Sequence, residues 1–235
     1  MPIIGELHHS KLGRVVVSRR SNSQRATARW HRGLVSLNVP AFYGIPDINL
    51  LLDRMAPRLL ASRPTLRYSA PATLSFPGVD FMIKRQSVAP KKILAKASLP
   101  VCTLEVGTSL DFDDEGVTLS ISNLMCRMAR RVAADLLLPH ARQLADRIRR
   151  HPAAWTISSG FRTLGTCSAR GVICLSYALV FLPRDLSDYV IYHELAHLTE
   201  MNHSPRFHTL LDSYLDGRER ELAGLLRTYQ WPILR

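Results

Sequence analysis

The sequence lacks the features of a secreted, membrane-bound or disulfide-stapled protein. Its four cysteines, Cys102, Cys126, Cys167 and Cys174, include no C-x-x-C pair, which argues against a zinc ribbon or a redox motif. The longest uncharged apolar run, 171–183, is too short to span a bilayer. The N-terminus also lacks the apolar stretch of a secretion signal. We therefore expect a cytoplasmic protein with reduced thiols and no membrane association.

Acidic residues are scarce relative to basic ones. The chain has 31 Lys and Arg against 19 Asp and Glu, a formal charge of +12 and a pI near 10.1. The electric field of a strongly basic protein attracts phosphates, so a nucleic acid or nucleotide stays among the candidate partners. The basic residues occur in short groups, such as Arg19-Arg20 and Lys91-Lys92, without interleaved aromatics. A solvated basic surface is therefore the alternative interpretation.

Length and hydrophobic patterning predict one domain over residues 1–235, mainly β with one helix over 1–120 and mainly helical over 121–235. No internal repeat is visible. A strand pair is predicted over 13–18 and 33–39, β-like runs over 81–84, 93–97 and 101–106, and further strands over 155–158 and 172–182. Helices are predicted over 47–60, capped by Asp47, and over 122–150, where Pro139 kinks or divides the helix. A last predicted helix is capped by Asp185 or Ser187.

That last helix carries the motif His193-Glu194-x-x-His197. Positions four apart lie one above the other on a helix, so His193 and His197 can offer two imidazole nitrogens to one metal ion. Glu194 lies about 100° around the helix and can reach a metal-bound water. The pattern predicts a zinc site with two ligands and a base in one turn.

Catalytic zinc usually has three protein ligands and an open fourth position. His203 is the best candidate for the third ligand if the chain turns after the helix, and Asn202 tolerates the left-handed conformation that such a turn can need. Ser204 and Pro205 then suit the N-cap and first position of a new helix. Glu200 and His208 remain open as competing ligands, and Glu200 also as a partner of a ligand histidine. For stabilising the oxyanion the sequence offers four unranked candidates: Tyr177, Tyr192, Arg206 and His208.

Two stretches resemble the YgjP-like metallopeptidase domain family, relatives of the SprT-like and WLM zincins. The first comprises His193-Glu194-Leu195-Ala196-His197 and Asn202-His203-Ser204-Pro205-x-Phe207, and the second Leu164-Gly165-Thr166-Cys167-Ser168 with Gly171 and Pro183. The chain departs from the family at Leu164 and His208, which stand for aromatic residues, and at Ser176-Tyr177-Ala178, which stands for Asn-Trp-Arg. The resemblance implies an α+β, compact zincin-like fold with a mixed β-sheet packed against the active-site helix. It also implies three histidine ligands for Zn2+.

The leading hypothesis is a zinc-dependent metallopeptidase that hydrolyses peptide bonds of a peptide or protein substrate, with the metal-bound water activated by Glu194. One alternative is a metal-dependent nucleotide pyrophosphohydrolase, although the sequence has no Gly-rich phosphate loop. A second alternative is a basic, nucleic-acid-associated protein with a non-catalytic zinc site. Structural zinc usually has four protein ligands including cysteine, and no cysteine lies near these histidines in sequence.

Overall fold

The N-terminal strands form a mixed sheet with one helix against it. The computed structural model describes residues 3–20, 23–31, 34–62 and 66–234. The first elements are β1 (Ile3–His9), β2 (Gly13–Arg20), β3 (Thr27–His31), β4 (Leu34–Pro40) and α1 (Ile45–Ala61). Their sheet has the order β1-β2-β4-β3, with β2 and β4 parallel and the other pairs antiparallel. Alternate side chains of β2 and β4 join residues of α1 in one buried cluster.

The predicted strand pair over 13–18 and 33–39 is confirmed as β2 and β4, although Gly33 lies outside the described residues. The helix predicted over 47–60 is also present, but Asp47 as its N-cap is wrong. Gly44 is the cap, and its N–H donates to Oδ2 of Asp47 at 3.0 Å. Asp47 therefore lies in the first turn, where a carboxylate interacts favourably with the positive end of the helix dipole.

The second sheet repeats the topology of the first. Its strands are β5 (Ala72–Phe76), β6 (Val79–Gln86), β7 (Ile93–Lys96) and β8 (Val101–Gly107), and the next helix is α2 (Glu115–Arg147). The order is β5-β6-β8-β7, with a central parallel pair between two antiparallel pairs. The predicted β-like runs are thus confirmed within β6, β7 and β8. The repeat is visible in the path of the backbone and not in the sequence.

Helix α2 is longer than predicted and is not divided. It begins at Glu115 because the side chain of Asp114 accepts from the N–H groups of Gly116 and Val117. It continues through Pro139 to Arg147 as one helix.

A third, smaller sheet lies next to the helix that carries the metal motif. It comprises β9 (Ala154–Ser158), β10 (Gly165–Cys167) and β11 (Val172–Ser176), and the helix is α3 (Arg184–Ala196). The order is β10-β11-β9, with β11 antiparallel to β10 and parallel to β9. Helix α3 packs against β10 and β11.

The single strand predicted over 172–182 is wrong in its second half. The hydroxyl of Ser176 accepts from the N–H of Ala178 at 3.1 Å, and residues Tyr177–Phe181 wind into a 3-10 helix. All five of these residues are buried, so their apolar run reflects burial and not strand structure.

The helices α4 (Pro205–Tyr214) and α5 (Glu219–Thr228) complete the described chain, and both contact α3. The α+β class predicted from the sequence is confirmed, and residues 121–235 hold β9, β10 and β11 in addition to helices. Contacts divide the chain into one unit of Met1–Arg67 with Leu234–Arg235 and a second of Tyr68–Ile233. The motif lies in the second unit, and the single domain over 1–235 stays a prediction. No helix within the described ranges is long and apolar enough to cross a membrane.

Candidate metal centre

Helix α3 brings the first two histidines together. Neither Asp185 nor Ser187 caps it, as the sequence had suggested: Pro183 is the N-cap, and the hydroxyl of Ser187 donates to the Arg184 carbonyl at 2.8 Å. The helix keeps right-handed geometry up to its C-cap, His197. Because four residues make about one turn, the rings of His193 and His197 lie 5.0 Å apart.

A turn after α3 returns the chain to this pair. The turn does not use the left-handed conformation that Asn202 tolerates, since the non-glycine residues with positive φ in the described ranges are Arg149 and Asp216. The turn is closed instead by the Ser204 N–H, which donates to the Asn202 carbonyl at 2.7 Å. Ser204 and Pro205 then start α4 as predicted, with the Ser204 hydroxyl accepting from the Phe207 N–H. This path places His203 beside the two helix histidines.

The three imidazoles converge on one point. One ligand nitrogen from each of His193, His197 and His203 lies within 4.8 Å of the others, and the Nε2 atoms of His193 and His203 are 3.0 Å apart. Two nitrogens bound to one tetrahedral zinc at its usual bond length are separated by roughly 3.3 Å. The arrangement therefore fits a divalent metal held by three histidines.

The orientation of His197 supports this fit. Its Nδ1 lies 3.1 Å from the backbone carbonyl of Glu200. Since a carbonyl only accepts, Nδ1 carries the proton, and Nε2 is left with the lone pair that a metal requires. Glu200 thus acts through its main chain. Its carboxylate does not belong to the histidine cluster found among the described residues.

The protonation state also suits metal binding. Burial, together with the neighbouring His197, His203 and His208, lowers the pKa of His193 to about 4. Burial likewise lowers the pKa of His197. Both rings are therefore neutral near pH 7, which is the form that coordinates a metal.

The ring of Phe207 packs against the rings of all three histidines. Its side chain is fully buried, and its ring centroid lies 4.9 Å from that of His193, 4.6 Å from His197 and 4.7 Å from His203. In the sequence, Phe207 was named as part of the family resemblance. Its contact with every histidine of the cluster depends on the turn at 198–204.

We predict that Phe207→Ala destabilises the protein by about 3–5 kcal/mol, because it removes a fully buried aromatic ring. The loss also loosens the three imidazoles, so metal affinity should fall as well. Chemical denaturation and metal titration would measure the two effects. Phe42→Ala is the matched control: Phe42 is 77% exposed, and its removal should change the free energy of unfolding by no more than about 0.5 kcal/mol. A similar cost for both variants would contradict the prediction.

Glu194 lies on the same turn as His193, but its side chain is almost entirely buried. It is 5% exposed, and this burial raises the pKa of its carboxyl to about 7. A carboxyl with a pKa near neutrality can accept and release a proton at physiological pH. The geometry therefore provides a proton acceptor beside the histidine cluster.

His208 does not join the cluster. Its Nδ1 lies 2.5 Å from Oε1 of Glu219, a partner from α5 that no sequence pattern indicated.

The sequence offered four candidates for stabilising an oxyanion, and two of them are buried. Tyr177 is 2% exposed and Tyr192 is 8% exposed. The exposed candidates, Arg206 and His208, lie on α4.

One family model matches the chain over most of its length. The sequence model described as "YgjP-like, metallopeptidase domain" matches residues 26–227. Among solved structures, the chain is similar to the metallopeptidase zymogen of Pyrococcus abyssi abylysin, with 23% identity, a TM-score of 0.32, and coverage of 41% of this chain and 94% of that chain. No curated protein sequence matches the chain.

Proposed function

Because the chain belongs to the YgjP-like metallopeptidase domain family, we propose that it is a zinc-dependent hydrolase of peptide bonds. His193, His197 and His203 are the proposed metal ligands, and Glu194 is the proposed base. The observation that carries this proposal is the convergence of three imidazoles, one of them adjacent in sequence to a buried carboxyl whose pKa is about 7. Three imidazoles with no thiolate suit zinc with an open coordination position.

Each residue has a defined task in this proposal. Bound zinc would supply a Lewis acid that polarises the peptide carbonyl and acidifies water. Glu194 accepts the proton that the attacking water loses and then passes it to the leaving amine. The Glu200 carbonyl holds His197 in the required tautomer. The exposed side chains of Arg206 and His208 are the remaining candidates for contacting the developing oxyanion.

The substrate is proposed to pair with β10. Strand β11 is the middle strand of this sheet, so both of its edges are occupied. In the antiparallel pair, Ser176 N–H donates to the Leu164 carbonyl and Ser168 N–H to the Val172 carbonyl. Backbone groups of alternate residues face opposite edges, so those of Gly165 and Cys167 face away from β11. Within the residues that the structure describes, no strand pairs with this edge of β10, so an extended peptide can add to it.

We predict that Cys167→Pro raises KM for a peptide substrate about tenfold, because proline removes the outward N–H that would pair with the substrate. One net hydrogen bond contributes about 1 kcal/mol, and its loss also weakens the alignment of the substrate along β10. Steady-state kinetics on a defined fluorogenic peptide would measure the change. Cys167→Ala keeps the N–H and is the control. An unchanged KM in the proline variant, with zinc retained, would exclude pairing at this edge.

A direct experiment tests the function itself. The purified protein is loaded with zinc and incubated separately with an unfolded protein and with nucleoside triphosphates. We expect new amino termini from the unfolded protein and no pyrophosphate or phosphate from the nucleotides. The reverse result would replace the peptidase by the pyrophosphohydrolase alternative. Hydrolysis of neither substrate by a zinc-loaded protein would favour the non-catalytic alternative.

A further inference from the structure

Strand β10 approaches α3 so closely that position 165 has no room for a side chain. A Cβ atom built on Gly165 would lie 2.6 Å from both Cγ and Oε1 of Glu194 and 2.8 Å from its Cδ. Non-bonded carbon atoms are normally separated by about 3.5–4.0 Å. All three atoms belong to the side chain that we propose as the base, so the constraint between Gly165 and Glu194 is specific to that residue.

The backbone at this position does not itself require glycine. Gly165 is paired in register with Leu175 in a regular antiparallel strand. Its φ lies outside the left-handed range that Gly171, at +71°, occupies. Alanine adopts strand geometry readily. The missing side chain therefore serves the close approach of Glu194 and not the path of the chain.

Cys167, the next residue on the same face of β10, also interacts with Glu194. Side chains two apart in a strand point to the same side of the sheet, so position 167 faces α3 together with position 165. Burial raises the pKa of the Cys167 thiol, and the charge of Glu194 raises it further. The charge of Glu194 thus also acts on the second side chain of this face of β10. Gly165 and Cys167 also direct their backbone groups to the free edge of the sheet.

We infer that Gly165 is a positioning residue for catalysis: by lacking a side chain, it lets the Glu194 carboxyl lie against the face of β10, the strand whose outer edge is proposed to pair with the substrate. This inference rests on the proposed role of Glu194. A methyl group at position 165 must push Glu194 aside or move β10 away from α3. Glu194 is only 5% exposed, so its side chain has little free space into which to turn.

The first test is a kinetic comparison of Gly165→Ala with the wild-type enzyme, both loaded with zinc. We expect kcat to fall about 100-fold, the usual effect of misplacing a catalytic group by about 1 Å. KM and zinc affinity should stay within about twofold, because substrate pairing uses the main chain and the histidines are untouched. Gly160→Ala is the matched control, since a Cβ there would meet only the Ser158 hydroxyl, at 3.8 Å. It should leave kcat unchanged.

The second test uses the metal-free protein and does not depend on activity. Gly165→Ala should lower Tm by several degrees in the wild-type background, as expected for overpacking in a domain of this size. Glu194→Ala removes the Cγ, Cδ and Oε1 atoms that the new methyl would contact. In that background, Gly165→Ala should lower Tm by about one degree or less, which is the signature of direct coupling between two sites.

The two tests separate the possible outcomes. An unchanged kcat in zinc-loaded Gly165→Ala would overturn the inference, as would equal Tm losses of several degrees in both backgrounds. If the wild-type protein cleaves no peptide, the proposed function fails, and the Tm comparison still decides whether Gly165 positions Glu194. If Gly165→Ala alone does not fold, the double variant with Glu194→Ala should fold. Failure of the double variant as well would overturn the inference.

Discussion

Glu194→Gln is expected to lower kcat by about 100- to 10,000-fold while the protein keeps its full complement of zinc. The amide has nearly the shape of the carboxyl but cannot accept a proton from water, and general base catalysis contributes about that much to a rate. Glu194 lies in the histidine-bearing turn of α3 and is almost fully buried. The loss should therefore appear in the chemical step and not in metal binding.

Zinc content and hydrolysis of a fluorogenic peptide would be measured on the same preparation of this variant. Because burial raises the pKa of the Glu194 carboxyl, a neutral amide is at least as easily buried, and thermal stability should be unchanged or higher. Glu200→Gln is the matched control, since Glu200 contributes only its main-chain carbonyl to the site. Wild-type activity in Glu194→Gln would remove Glu194 as the base.

His203→Ala is expected to weaken zinc binding by at least about 100-fold and to abolish hydrolysis at trace zinc. Loss of an outer-shell partner already costs about 10- to 100-fold in metal affinity, and His203 is proposed as a direct ligand. Its Nε2 lies 3.0 Å from that of His193. Since His203 is exposed, its replacement should change the Tm of the metal-free protein by no more than a few degrees.

His208→Ala provides the control for this variant. The ring of His208 lies 6.4 Å from that of His203, but its Nδ1 is bound to Glu219. The His208→Ala variant should keep wild-type zinc affinity, measured by competition with a chromogenic chelator. If His203→Ala binds zinc as tightly as the wild type, His203 is not a ligand. If His208→Ala instead loses zinc, the third ligand must be reassigned.

Features that depend on a few neighbouring residues were predictable from the sequence. The spacing of His193 and His197 predicts two rings on one helix face because the period of a helix is fixed. Ser204 and Pro205 predict the start of α4 because capping is a contact between residues three apart. The same local rules misplaced the caps of α1 and α3, where a nearby backbone group of Gly44 or Arg184 binds the predicted side chain.

The length of the strand after Val172 shows where local patterns fail. An apolar run records only that its residues are buried, and residues of a strand and of a 3-10 helix can be buried equally well. The strand ends at Ser176, whose side-chain hydroxyl accepts a hydrogen bond from the Ala178 N–H at the start of the 3-10 helix. The topology shared by the first two sheets was likewise invisible, because strand order depends on contacts between distant segments.

The sequence by itself determined that two histidines and a glutamate share one turn of a helix, since helical periodicity follows from the covalent backbone. Only the tertiary structure decided what surrounds them. It brings Phe207 against all three imidazoles, and it places Gly165 where its missing side chain makes room for Glu194. Residues 165 and 194 are 29 positions apart. Their contact arises from the packing of a strand against a helix, which no local pattern of residues specifies.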